Sequence, residues 1–192
     1  MPSIEISKDF RLLINVPKFQ RGLTLLIGKN GSGKTTLLRI LSKKIKITNQ
    51  EFCELMKEIE QMGFNPFIEE TTIPTGETLN KIVKYFTFTS SLDRSLYEKV
   101  ANKLNINHIL NQPFKKCSTG EKKKFLLLLN LCQTKGSVYF LDEPIENIDN
   151  ESKRVIIELL NSFASEKLIF IATHHPNEFK GDIIHKHQIH RD

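Results

Sequence analysis

Leu23-Thr24-Leu25-Leu26-Ile27, followed by Gly28-Lys29-Asn30-Gly31-Ser32-Gly33-Lys34-Thr35-Thr36, is a short apolar run that breaks into a glycine-rich loop. A run of that kind, bounded by turn residues, reads as a buried strand. Beyond the loop, Leu37, Leu38, Leu41 and Ile45 recur at helical spacing. The order is strand, loop, helix, the setting that the phosphate-loop pattern G-x-x-x-x-G-K-[ST] requires. Residues 28–35 match it in full. Its glycines let successive backbone N–H groups point inward around phosphate oxygens, and the following helix aims its positive end at the same anion. In that pattern Lys34 neutralises the β and γ phosphates of a nucleotide. The Thr35 hydroxyl completes a partly hydrated octahedral Mg2+ shell, and Thr36 adds a phosphate contact. A glycine-rich turn arising by chance rarely meets the whole pattern at a strand-to-helix junction.

The rest of the chain is consistent with one globular α/β unit. Its 192 residues, 39% of them hydrophobic, suffice for a core. The longest apolar run, residues 125–129 extended through Leu131, falls far short of the ~20 residues of a membrane-spanning helix. The opening Met-Pro-Ser-Ile-Glu lacks the charged-then-apolar pattern of a secretion signal, which predicts a cytoplasmic protein. Cys53, Cys117 and Cys132 are odd in number and widely spaced, which argues against a disulfide framework or a zinc site. The formal charge of +6 is spread along the chain apart from Lys43, Lys44, Lys46 and the triplet at 122–124. Clusters so short read as solvated faces, and no nucleic-acid partner is expected.

Ahead of the loop, alternating apolar residues at Ile4 and Ile6, then at Leu12, Ile14 and Val16, read as two short strands. Behind it, Thr48 with Glu51 has capping-box spacing and predicts a helix through Phe52, Leu55, Met56 and Ile59, ending near Gly63. Residues 65–76 read as a loop joining two lobes. From 77 to about 110 the period is helical, through Leu79, Ile82, Val83 and Phe86 and then Leu92, Leu96, Val100 and Leu104. Strand and helix alternation then resumes, with helix 121–132, strand 138–141, helix 151–163 and strand 168–172. The expected core is a mainly parallel sheet, with N-terminal antiparallel strands and a small helical subdomain. A last segment, 182–190, reads as an edge strand whose His185, His187 and His190 are surface residues with no assigned role.

The strand 138–141 ends in Asp142-Glu143, and strand alternation sends these two carboxylates in different directions. Taken alone, such an ending is a common strand-to-loop junction. Behind a phosphate loop it suggests two roles. Asp142 would hold the magnesium through a water, and Glu143 would polarise the water attacking the γ-phosphate.

With these motifs in place the chain resembles the ATP-binding cassette (ABC) ATPases, which are P-loop NTPases, over nearly its whole length. Cys117-Ser118-Thr119-Gly120-Glu121 looks like the family's signature sequence, lying before a helix and upstream of the Asp-Glu strand. Glu143-Pro144-Ile145-Glu146-Asn147-Ile148-Asp149 is similar to the acidic-proline turn and the loop ending in aspartate. Thr173-His174, directly after strand 168–172, looks like the switch histidine, with His175 a weaker candidate. Alone, Ser118 or Thr119 reads as a helix cap and His174 as a structural residue. The resemblance implies a core lobe of residues 1–66 and 117–192 and a helical subdomain of about 67–116. It further implies two ATP molecules sandwiched between the two copies of a homodimer, with Ser118, Gly120 and Glu121 of one copy facing the γ-phosphate bound by the other. His174 would touch that phosphate, and Asp149 would either communicate across the dimer or cap a helix. Phe10 would either stack on adenine or pack in the core.

The chain also departs from the family pattern. Thr119 and Glu121 stand where glycine and glutamine are commonest, and Phe67 stands where the family's loop glutamine follows Asn65-Pro66. The segment 46–63 is shorter than usual and helical rather than strand-rich. The preferred expectation is the ATPase subunit of an ABC transporter, peripheral at the inner membrane face, with separate transmembrane permease subunits. Its motif style suggests export of peptide, antibiotic or lipid. The alternatives are a soluble cassette ATPase of translation, DNA maintenance or cluster assembly, and a nucleotide-binding regulator with little turnover.

Overall fold

The computed structural model describes residues 3–7, 10–14, 20–47, 50–89, 92–181 and 184–191, with side chains from residue 20 onward except at 50–52, 55, 190 and 191. Among these residues the strands are β1 (Ser3–Ser7), β2 (Phe10–Ile14), β3 (Gly22–Ile27), β4 (Val138–Asp142), β5 (Leu168–Thr173) and β6 (Ile184–Arg191). They form one sheet in the order β1-β2-β6-β3-β5-β4. β4, β5, β3 and β6 run parallel, and β1 and β2 add an antiparallel margin. The helices are α1 (Lys34–Leu41), α2 (Gln50–Met62), α3 (Leu79–Thr89), α4 (Arg94–Lys103), α5 (Thr119–Leu131) and α6 (Asn150–Ala164). This is the expected α/β architecture, with α3 and α4 as the helical insertion. Thr48 and Val16 lie outside the described residues.

Strands β3, β5 and β4 are apolar on both faces because helices cover both. Their period-two alternation divides the core in two. Leu23, Leu25, Tyr139, Leu141, Ile169 and Ile171 face a cluster shared with α5, α6 and the insertion. Leu26, Val138, Phe140, Leu168, Phe170 and Ala172 face a second cluster with α1 and α2. Phe140 and Phe170 stack in parallel across neighbouring strands, with ring centroids 5.7 Å apart. Register then sets the site. Ile27 pairs with Thr173, and Asp142 with Ala172, so the glycine loop, His174 and Glu143 all leave the sheet at one edge. Open parallel sheets bind ligands outside such carboxyl ends.

Two expectations change. The final segment is an interior strand, because β6 pairs antiparallel with β2 and parallel with β3 and so has a neighbour on each side. Its alternating histidines read as an edge, but Ile189, on the same face as His185 and His187, is buried against α1. The helix expected from 121 starts at Thr119 because Ser118 caps it: Ser118 Oγ accepts from Glu121 N–H, and Glu121 returns a carboxylate to Ser118 N–H at 2.7 Å.

The loop after α2 is held by buried amides that no spacing announces. Asn65 Nδ2 donates to the carbonyls of Gly136 and Val138, and its Oδ1 accepts from Gly136 N–H. Asn130 Oδ1 accepts from Ile68 N–H, while its Nδ2 donates to the carbonyls of Ile68 and Leu126, each at 2.9 Å. Phe67 is buried against Phe140, with Lys44 Nζ 5.1 Å from its ring centre. The loop is therefore pinned to both α5 and the sheet.

Replacing Asn130 by alanine would strand the buried Ile68 N–H and C=O groups, each costing roughly 1–3 kcal/mol. Denaturant unfolding should show stability lower by about 2 kcal/mol or more, at unchanged m-value.

Candidate functional site

The phosphate loop is shaped from three sides. Gly33 at the N-cap of α1 has φ 98°, a left-handed conformation that a side chain would strain, and no side chain caps the helix there. Its free N-terminal N–H groups face the loop. At Gly28 the constraint is space. An added Cβ would lie 2.4 Å from Ser32 Oγ and 2.7 Å from the backbone oxygen of Ile189 in β6. Lys34 folds back over the loop, its Nζ donating to the carbonyls of Gly28 at 2.8 Å and Lys29 at 3.2 Å.

The alternation of β4 turns Asp142 toward the face that carries α1. Thr35 Oγ1 there donates to Asp142 Oδ2 at 2.8 Å. Burial raises the Asp142 carboxyl above its ordinary range, opposed by the Thr35 hydrogen bond and by the nearby Lys123 ammonium. Glu143 takes φ 46°, uncommon for a residue with a side chain and costing on the order of 1–3 kcal/mol. Its N–H donates to Ala172 O at 2.9 Å, which ties this turn to the end of β5. The carboxylate thereby sits between Lys34 Nζ at 3.9 Å and His174 Nδ1 at 2.8 Å. The histidine contact is ionic in distance without hydrogen-bond alignment. His174 N–H also donates to Glu143 Oε2 at 3.3 Å.

Lys34, Thr35, Thr36, Asp142 and Glu143 wall a cavity of roughly 480 Å3 together with Asn30, Gly31 and Gly33. A second cavity, of roughly 210 Å3, adjoins it and is lined by Thr35 and Asp142 with Phe67, Glu69, Leu127 and others. A third, of roughly 500 Å3, opens between residues 28–32, Lys29 and Asn30 included, and Gln188 with Ile189. Thr35 and Asp142 offer two hard oxygen donors, the type Mg2+ prefers. Two donors are too few for its octahedral shell, so phosphate and water oxygens would supply the rest.

The structure does not bring every expected residue into this cavity. Ser118, Gly120 and Glu121 lie at the start of α5 and line none of the three cavities. Asp149 caps α6, accepting from Ser152 N–H at 2.8 Å, and pairs with Lys124 at 2.7 Å. His175 is exposed, its ring 3.8 Å from that of His174. Phe10 lies in β2, with its side chain outside the described residues. Sequence reasoning missed Lys123, Glu69 and Gln188 as cavity residues, since none sits in a recognisable spacing.

The family model described as ABC transporter matches residues 15–146. A protein of Archaeoglobus fulgidus assigned as an ABC transporter ATP-binding protein is 31% identical over 163 residues, 78% of this chain. The zinc import ATP-binding protein ZnuC of Buchnera aphidicola is 30% identical over 73% of this chain. A solved structure assigned as a cobalt transport ATP-binding protein superposes with TM-score 0.66 at 26% identity, covering 87% of this chain. The matches span 66%, 57% and 62% of those proteins' own lengths, under two thirds in each case. No helix among the described residues is long and apolar enough to cross a membrane.

The Lys124 hydrogen bond, then that from Ser152 N–H, holds the Asp149 carboxyl well below its ordinary range. A depressed folded-state pKa stabilises the fold above the unfolded value of about 3.9, and the effect fades as pH falls below that. Asp149→Ala should cost about 1 kcal/mol of stability at neutral pH. The stability difference between the two proteins should hold down to about pH 4, begin to shrink below that, and close only as pH falls through the depressed folded-state value of the Asp149 carboxyl.

Proposed function

The chain belongs to the ABC transporter family, and from that premise we propose that it is an ATP-hydrolysing subunit working as a dimer on separate membrane subunits at the inner membrane face. The observation that carries this reading is the Thr35–Asp142 hydrogen bond, with Glu143 held between Lys34 and His174 beside it. In our reading the N–H groups of residues 28–36 cradle the triphosphate, and Lys34 leaves the loop carbonyls to neutralise its β and γ oxygens. Thr35 and Asp142 would hold Mg2+, which when bound would supply positive charge to offset that of the phosphates. Glu143 Oε1 orients and polarises the attacking water, taking its proton at the carboxylate. His174 fixes that carboxylate from the opposite side and contacts the terminal phosphate.

The capped start of α5, with Ser118, Gly120 and Glu121, is the surface we assign to the second copy's nucleotide. The capping box supports it by ordering the exposed N–H groups at that helix end. Core lobe 1–66 with 117–192, and helical part 67–116, are the proposed moving parts. Phe67 is committed to the core, so the glutamine's family role does not pass to this position. Motif style is the ground for export, whereas the zinc relative is named for import.

Glu143→Gln should keep ATP, lower turnover by about 100-fold or more, and accumulate a dimer on gel filtration with ATP. Normal hydrolysis by that variant would remove Glu143 from its role. Lys34→Ala should instead lose nucleotide affinity in a direct binding titration, and tight binding would count against its phosphate contact. Co-purification with a multi-span membrane protein tests the coupling to transport.

A further inference from the structure

Three residues, Thr35, Asp142 and Lys123, line both the loop cavity and the smaller cavity beside it. The first two carry the hydrogen bond already described. Lys123 comes from α5, on the other side of β4, and puts an ammonium between the two spaces. Its neighbours are engaged elsewhere: Lys122 Nζ is 3.0 Å from Glu70, and Lys124 Nζ is 2.7 Å from Asp149. Among the described residues Lys123 Nζ has only longer contacts, 3.5 Å to the Glu143 carbonyl oxygen and 3.6 Å to a Glu146 carboxylate oxygen. Charge-assisted ammonium contacts close to about 2.7–2.9 Å when they are made in full. This ammonium therefore has unused donor capacity, on a flexible stem that can swing it toward an anion.

The charges around it say which anion. Asp142, Glu143 and Glu146 put three carboxylates on the wall of the loop cavity, against the ammonium groups of Lys34 and Lys123. A polyphosphate entering there meets carboxylates concentrated at the end of β4, where Glu143 stands. The part of the ligand nearest that end needs a second cation most, because Lys34, 3.9 Å from Glu143, is one ammonium against three carboxylates.

We propose that Lys123 is a second phosphate-facing ammonium, supplied by α5 of the same chain, which contacts the terminal phosphate and makes the site prefer a nucleoside triphosphate to the diphosphate. This rests on the ATP-binding reading above. A diphosphate ends short of Glu143 and gains little from Lys123, whereas a triphosphate reaches it. The position also links the nucleotide to the signature surface, since Lys123 lies just over one helical turn from the Ser118 cap.

The test is equilibrium binding of Mg2+-ATP and Mg2+-ADP to Glu143→Gln protein, alone and combined with Lys123→Met or Lys123→Arg. Methionine keeps the length of the stem, and thermal melts confirm folding. Lys123→Met should weaken ATP about 10- to 100-fold while moving ADP by less than about threefold, and Lys123→Arg should recover most of the ATP affinity. Equal loss for both nucleotides, or no loss for either, would overturn the role of Lys123 while leaving the nucleotide site standing. Failure of the Glu143→Gln parent to bind either nucleotide would remove both readings together.

Discussion

The hydrogen bond from the Thr35 hydroxyl to the Asp142 carboxylate joins residues 107 apart in the chain, and the arrangement around it depends on that contact. It exists only if α1 sits on one face of the sheet and β4 ends in register with β5. Both conditions are hydrophobic in origin. Leu37, Leu38 and Leu41 seat α1 on Leu26, Phe140 and Phe170, and the parallel ladders place Asp142 opposite Ala172. A one-residue slip of β4 would turn Asp142 to the other face and bring Glu143 beneath α1. The chemistry of the site is thus specified by packing at some distance from it.

Strain and charge concentrate at the same edge. Glu143 holds a left-handed backbone conformation, tied down by Ala172 O, and its carboxylate lies between a lysine and a histidine. Around it the charged groups alternate in sign across the elements. Arg39 and Lys44 hold Glu69, Lys122 holds Glu70, Lys123 approaches Glu146, and Lys124 holds Asp149. The basic triplet of α5 is therefore a set of three separate ties, to the loop after α2, to the cavity and to the cap of α6. Exposed pairs of this kind contribute little stability individually. Their effect is positional, holding α5 against the loop after α2, the turn beyond β4 and the cap of α6.

The loop carrying Phe67 shows how this chain differs from the family pattern. The aromatic ring is part of the core and Glu69 lines the cavity two residues later, clamped by Arg39 and Lys44. Two asparagines then fix the loop backbone. Buried amides of this sort specify one arrangement because every alternative leaves a polar group unpaired.

From sequence alone, the glycine loop, the Asp-Glu strand end and the alternation of apolar strands with helices determined the fold class and the centre of the site. Those signals are local: each is a spacing that a short segment imposes on itself. The interior place of β6, the pressure of Ile189 on Gly28, the amides of Asn65 and Asn130, and the reach of Lys123 were decided only in the tertiary structure. Each of them needs partners from distant segments, brought together by strand order and helix seating. A lysine among three lysines carries no mark of which one faces a cavity, because direction on a helix acquires meaning only once the neighbouring strand is in place.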